Sequence, residues 1–421
     1  MSTAPSVPPA RTAPRLASWF RLVGVAVLGA LLAAGAFVGV QLNRSLPPPR
    51  LQVTTPRLAV PAVAAATLPW PREGQSALTV QGVTTAASPE VQHPVPVGSV
   101  AKVMTAYLVL RTHPLAPGAQ GPVIRVSERQ AADYRVRSSS AESLLPVSDG
   151  EALTERQALD ALLVPSANNA ADLLAEWTAD SLDAFIQRMN DTARQLRLTG
   201  THYADASGYS SATTSTATDQ VRLAVEALRD PTLATIVAQR QVDLPLKGAS
   251  ANYNTLLGSD GVFGVKTGST RPAGGNVVFA ARRQVGGRTL TIVGAVLGQR
   301  VGESSLAALG TALSAARLLL TSAEASLRPV RLLQGGTAVG SVIAPWAGSS
   351  PVVTQHGVDA VAAPGLAPEV TLQPAAGVPH LPGDAAGILD VRLGEQRSAV
   401  PLQLTAPLRG PALSWRLTRG F

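Results

Sequence analysis

Three apolar runs, VFGVKTGST (262–270), GNVVFAARR (275–283) and RTLTIVGAVLG (288–298), follow one another with only short Gly- or Pro-containing breaks between them. Tight turns join antiparallel neighbours, so this pattern predicts an antiparallel meander. Helical apolar spacing surrounds it. TERQALDALLV (154–164), ADLLAEW (171–177) and SLDAFIQRMNDTARQLRL (181–198) precede the strands, and a largely apolar stretch at 99–111 reads as a buried helix. SALTVQGVTT (76–85) is a strand candidate that opens the unit, and a helix near 303–325 closes it. Strands between helices imply an α/β (α+β) layered domain.

From about residue 328 the texture changes to short strand-like runs with Gly/Pro breaks: VRLLQGG, AVGSVIAP, SPVVTQHG, EVTLQPAAG, GILDVRLG and AVPLQLTAP. These predict a separate small β-domain over 327–421. At the other end, residues 22–42 contain no charge, which is long enough for a helix to cross a bilayer. Ala34-Gly35-Ala36 resembles a signal-peptidase site, yet the apolar run continues to Leu42, which favours an uncleaved anchor. Arginines flank the span on both sides, so charge alone does not orient it. The expected organisation is a disordered tail (1–21), a signal-anchor helix (22–42), a Pro-rich extended linker (43–67), a folded domain (68–326) and the β-domain.

The net charge of +8 raises the question of nucleic acid, but the arginines are scattered, aromatics make up 4%, and no nucleic-acid-reading motif is present. The charge reads as compositional Arg on a solvated surface, the alternative being attraction toward anionic wall polymers or lipid headgroups. Zero cysteines exclude a disulfide scaffold, a thiol nucleophile and thiolate metal sites. The five histidines are far apart and lack paired spacing, so neither a metal site nor another cofactor is expected.

Only three of the 35 basic residues are lysines: Lys102, Lys247 and Lys266. A chain that otherwise writes cations as Arg keeps Lys where loss of a proton matters, because guanidinium stays charged. Ser99-Val-Ala-Lys102 puts a hydroxyl and an amine at i and i+3 on one helical face. The alternative is a capping Ser with a snorkelling Lys. Ser166-Ala-Asn168 opens another helix, where a Ser after Pro is by itself read first as an N-cap. Lys266-Thr267-Gly268 lies inside a strand, where glycine marks close approach of another backbone, and a cation beside a hydroxyl suits a carboxylate. An exposed edge Lys before a bend is the competing reading.

Together the order and types of Ser-x-x-Lys, Ser-x-Asn and Lys-Thr-Gly match the signature of penicillin-interacting serine enzymes. The chain resembles the D-alanyl-D-alanine carboxypeptidase family of low-molecular-mass penicillin-binding proteins, over most of 68–325. The likeness extends to VGSVAKVMTAYLVL, LLVPSANNAADLLAEW, THYADASGYSSATTSTATD and ANYNTLLGSDGVFGVKTGSTRPAGG. It implies a transpeptidase-type fold with an antiparallel sheet flanked by helices, plus a C-terminal β-domain. It also implies an acylated nucleophile at Ser99, a base at Lys102, proton relay at Ser166 and substrate positioning by Asn168. Lys266, Thr267 and Gly268 would face the substrate carboxylate, with Arg300 assisting. The backbone N–H groups of Ser99 and Ser269 would form the oxyanion hole. The implied substrate is a peptidoglycan stem peptide ending in D-Ala-D-Ala. β-Lactams are the implied covalent inhibitors, and the catalytic domain is expected outside the cytoplasm on a membrane anchor.

Two departures stand out. Asn169 occupies a position where many members carry Asp, a change expected to alter little beyond local helix capping. The anchor here is N-terminal, whereas the family commonly attaches through its C-terminus. Transpeptidase or endopeptidase chemistry remains an alternative within the same motifs, and a non-catalytic wall-binding scaffold is the alternative from another class. Intact motifs speak against the scaffold. A class A β-lactamase is disfavoured, because no Glu-x-x-Leu-Asn stretch occurs between 166 and 266.

Overall fold

The computed structural model describes residues 16–58, 68–89 and 92–420. The expected disordered tail to residue 15 and the linker segment 59–67 lie outside them. The central element is a five-stranded antiparallel sheet in the order Val262–Thr270, Gly274–Val285, Arg288–Gln299, Gln75–Val80, Thr84–Ala87. The predicted meander forms three adjacent strands of this sheet. Both faces of the sheet are covered, and successive residues divide between them with the period of two that a strand imposes. Val278, Ala280, Val293 and Ala295 face a large helical layer. Val277, Phe279, Ile292 and Val296 face the helix Ser305–Ser326. Gly294 sits opposite Phe279 in the register, and a Cβ there would reach within 2.3 Å of the ring. The missing side chain makes room for the aromatic. Burial of a ring such as Phe279 contributes about 2–3 kcal/mol.

The stretch 76–85 is a hairpin and not one strand: Gln75–Val80 turns at Gly82 (φ +69°) into Thr84–Ala87. Gly82 supplies the positive φ that the reversal needs. In the helical layer, Lys102–Thr112 is surrounded by Glu155–Leu163, Asn168–Ala179, Leu182–Gln195 and Ala217–Ala227. Several starts are fixed by side-chain caps. Thr154 with Gln157 and Ser127 with Gln130 form capping boxes, and Ser181 and Asp230 cap the helices that follow them.

The helix Ser305–Ser326 packs one face on the sheet, which accounts for its apolar character. The helix Leu16–Asn43 is different. Its 25-residue apolar stretch Trp19–Asn43 has a mean hydropathy of 2.4 and buries none of its apolar window.

Beyond the central unit, a six-stranded antiparallel sheet runs Arg50–Val53, Ala338–Ala344, Gly348–Thr354, Gln396–Leu404, Ala385–Leu393, Pro368–Pro374. Arg328–Leu333 pairs with Val358–Ala362 against it, around Val342, Val352, Leu389, Val391, Val400 and Leu402. The expected β-runs are therefore strands. The surprise is Arg50–Val53, which comes from the Pro-rich stretch read as an extended linker, with Leu51 opposite Val342. Three prolines precede it, so its strand character shows only through its partner.

The short helix Leu413–Thr418 docks at the C-terminal end of the apolar helix. Arg419 donates to the carbonyls of Gln41, Arg44 and Ser45 at 3.0, 2.7 and 3.1 Å, and Arg416 donates to Leu42 at 2.6 Å. Helix ends leave carbonyls without intrahelical partners and carry partial negative charge, which these guanidiniums meet.

Candidate active site

Ser99 lies in a single 3₁₀ turn, Gly98–Ala101, that runs directly into the helix Lys102–Thr112. The strand Val262–Thr270 presses on this turn. A Cβ added at Gly268 would lie 2.7 Å from the Val97 carbonyl oxygen and 2.8 Å from the amide nitrogens of Ser99 and Val100. Only glycine allows that approach. From the other side, a Cβ at Gly208 would lie 1.9 Å from the Gly98 carbonyl oxygen. The turn is thus held between two backbones.

Lys102 does not snorkel. It is fully buried, and its Nζ lies 2.8 Å from Ser99 Oγ, 2.7 Å from Asn168 Oδ1 and 2.8 Å from the Ser207 carbonyl oxygen. Two of these neighbours are pure acceptors. A neutral amine spends its two N–H bonds on them, which leaves its lone pair toward the Ser99 hydroxyl. Burial lowers the Lys102 pKa from 10.5 to about 7. Asp205, Asp172 and Glu142 oppose that effect, and Arg137 adds to it. Desolvation wins because no carboxylate touches the amine.

Ser166 is not an N-cap. It has φ +66°, the helix Asn168–Ala179 starts after Ala167 without a side-chain cap, and the Ser166 hydroxyl is buried without a hydrogen-bond partner. A strained backbone that presents an unsatisfied hydroxyl fits a functional site better than a structural one. Asn168 bridges an amine and a carboxylate, with Oδ1 on Lys102 and Nδ2 donating to Glu142 Oε2 at 2.8 Å.

Asn169 does more than alter capping. It accepts from the Leu145 amide at 2.9 Å and donates to the Leu145 carbonyl at 2.8 Å. A carboxylate could not make the second bond.

Lys266 is also interior, not an edge residue: it is 1% exposed, and its Nζ donates to the Thr267 carbonyl at 3.1 Å. Burial, followed by the charge of Lys102, holds its amine well below the ordinary lysine range. Ser99, Ser143, Ser166, Tyr253, Thr267 and Ser269 are among the residues that line a cleft of about 220 Å³. Ser269 Oγ donates to the Ser305 carbonyl, which ties the cleft to the start of the helix Ser305–Ser326. Arg300, one residue beyond the strand Arg288–Gln299, does not line the cleft. Its guanidinium pairs with Glu303 at 3.2 Å and is half exposed. Among the described residues no cluster of His, Asp or Glu could hold a metal ion.

Three structural contributors were not singled out from the sequence. Asp205 accepts from the Ser207 and Thr213 hydroxyls at 2.7 and 2.5 Å and from the Tyr209 amide at 2.8 Å, shaping the loop that aims the Ser207 carbonyl at Lys102. Glu142 and Arg137 stand behind Asn168. All three are charged residues in polar runs, where spacing offers no clue to burial or partner.

Comparison with known proteins covers both fold and site. The family model described as D-alanyl-D-alanine carboxypeptidase (peptidase S11) matches residues 75–299, more than half of the chain and all three motifs. A D-alanyl-D-alanine carboxypeptidase DacB2 of Mycobacterium tuberculosis is 36% identical over 153 residues, covering 35% of this chain and 52% of that protein. A D-alanyl-D-alanine endopeptidase of Haemophilus influenzae is 29% identical over 210 residues, covering 47% of this chain and 66% of that one. The chain thus spans between half and two thirds of the length of these relatives. The solved structure of penicillin binding protein 5 from Haemophilus influenzae matches with a TM-score of 0.56 at 19% identity, covering 85% of this chain and 99% of that one. The mixed fold expected from the sequence, helices on an antiparallel sheet, is that of a penicillin-binding protein. The chain belongs to the D-alanyl-D-alanine carboxypeptidase family.

Proposed function

We propose that this chain is a serine-type D-Ala-D-Ala carboxypeptidase that removes the terminal D-alanine from peptidoglycan stem pentapeptides. The observation that carries the reading is the buried Lys102 amine, 2.8 Å from Ser99 Oγ, with a pKa near 7. In this mechanism Lys102 takes the Ser99 proton while Oγ attacks the carbonyl carbon of the penultimate D-alanine. The amide nitrogens of Ser99 and Ser269 receive the developing oxyanion, a contribution of roughly 3–4 kcal/mol per donor. Ser166 passes the proton to the amine of the departing D-alanine as the C–N bond breaks. Water then hydrolyses the Ser99 ester, releasing a tetrapeptide and restoring the hydroxyl. A β-lactam enters the same first step and remains as an ester.

Lys266 and Thr267 face the terminal carboxylate in this reading, with Gly268 letting the strand close on the turn that carries Ser99. Burial and the neighbouring Lys102 disfavour charge on Lys266, and an arriving carboxylate supplies the opposite charge that restores it. Arg300 would act only after leaving Glu303. The apolar helix Leu16–Asn43 is proposed as a single-pass membrane anchor with the catalytic unit outside the cytoplasm; its unburied apolar surface supports this.

The competing reading is D,D-endopeptidase or transpeptidase action, favoured by the likeness to an endopeptidase. Mass spectrometry of muropeptides after incubation with the full chain distinguishes them. Loss of one D-alanine from pentapeptides is expected. New cross-linked dimers would mean transpeptidation, and cleavage of existing dimers alone would mean endopeptidase action.

A further inference from the structure

Asn168 Nδ2 and Arg137 both donate to the same oxygen of Glu142, at 2.8 and 2.7 Å. Arg137 is itself fixed by Asp172 at 2.8 Å and Asp133 at 2.9 Å. The loop that carries Glu142 is pinned at three further points. The Asn168 amide donates to the Ser143 carbonyl at 2.7 Å, Lys247 Nζ to the Leu144 carbonyl at 2.8 Å, and Asn169 binds both backbone groups of Leu145. Glu142 is therefore a preset acceptor that faces Asn168 from behind.

A side-chain amide can flip, exchanging its oxygen and nitrogen. With Glu142 in place the flipped amide of Asn168 would set oxygen against a carboxylate and nitrogen against an amine that already donates. Only one orientation survives, with Oδ1 toward Lys102. We propose that Glu142, clamped by Arg137, is a positioning residue for acyl transfer: it locks the Asn168 amide so that Lys102 keeps its lone pair aimed at Ser99. This inference rests on the proposed serine chemistry. It assigns Glu142 no contact with substrate.

Glu142→Gln tests it. Glutamine has one oxygen: in the Oε2 place it can still accept from Asn168, but its nitrogen then faces the Arg137 guanidinium, donor against donor, and the clamp that presets the acceptor is lost. The substitution also removes one of the negative charges near Lys102. The remaining charged groups around that amine are Asp205, Asp172, Arg137 and Lys266.

The experiment measures the second-order rate constant for labelling of Ser99 by a fluorescent penicillin, across pH, in the full chain. The expected result is a plateau lowered roughly ten- to a hundredfold, the scale of a misplaced reacting group. The acid limb should move to lower pH, because less negative charge surrounds the amine. The same substitution in an Asn168→Ala background should add little further loss, since the effect runs through Asn168. If Glu142→Gln does not fold, Glu142→Asp keeps the charge on a shorter arm. It should lower the plateau and leave the acid limb in place.

A wild-type plateau in the folded variant, or full additivity with Asn168→Ala, overturns the positioning role. Failure of the unaltered chain to be labelled at all would instead overturn the serine chemistry beneath it.

Discussion

Under the proposed mechanism, the pH dependence of Ser99 acylation follows from one number. Lys102 has an ordinary pKa of 10.5 and about 7 in the fold. An ordinary lysine at pH 7 is neutral in only about one molecule in three thousand, whereas Lys102 is neutral in about half. The fold thus raises the supply of free base roughly a thousandfold. Below pH 7 the neutral fraction falls about tenfold per pH unit, so the acylation rate at pH 5 should be about 1% of its plateau.

The cost falls on stability. The unfolded chain keeps the Lys102 proton up to pH 10.5, and the folded chain releases it above about 7. The unfolded state therefore binds more protons between those values, and stability rises with pH across that window. Below pH 7 burial of this amine costs roughly 5 kcal/mol.

The assay is the rate of labelling by a fluorescent penicillin from pH 5 to 9, with Lys102→Arg as the control that preserves charge but not basicity. Labelling of that variant should be lost at every pH. A rate that stays level from pH 5 to 8 would refute the argument, because no group poised near neutrality would then be taking the proton.

Two further outcomes are expected. Gly268→Ala should cut acylation by at least a hundredfold, since its methyl would sit within 2.8 Å of two amide nitrogens of the turn that carries Ser99 and force strand and turn apart; an unchanged labelling rate would show that the turn yields freely. N-terminal sequencing of protein extracted from membranes should find residues before Ala36 still attached, because the helix runs unbroken through Ala34-Gly35-Ala36 to Asn43; a mature start at Phe37 would make the segment a removed signal.

The sequence and the structure agree most closely where local rules and tertiary packing point the same way. The meander was readable from its turns and its apolar runs, and helices with a capping Thr or Ser declared their own starts. Lys is scarce in this chain, so Lys102 and Lys266 stood out in the sequence, and the fold buries both. Residues whose meaning depends on a distant partner did not. Arg50–Val53 becomes a strand only beside Ala338–Ala344. Glu142 and Arg137 sit in a run of charged and hydroxyl residues that looks like solvated surface, and burial reveals them as neighbours of Asn168. Ser166 showed the converse: its position after Pro165 suits a cap, and only its positive φ and unsatisfied hydroxyl separate the two readings.

The strand Arg50–Val53 also decides how force would travel through the molecule. Only six residues separate the end of the apolar helix at Asn43 from Arg50, a reach of about 25 Å when fully drawn out. Pulling on that helix would load the outer edge of the six-stranded sheet in shear against Ala338–Ala344, well before any tension reached Gln75 at the start of the central sheet. The second sheet is in this sense the mooring of the chain, and a load on the apolar helix meets that sheet before it meets the strands around the cleft.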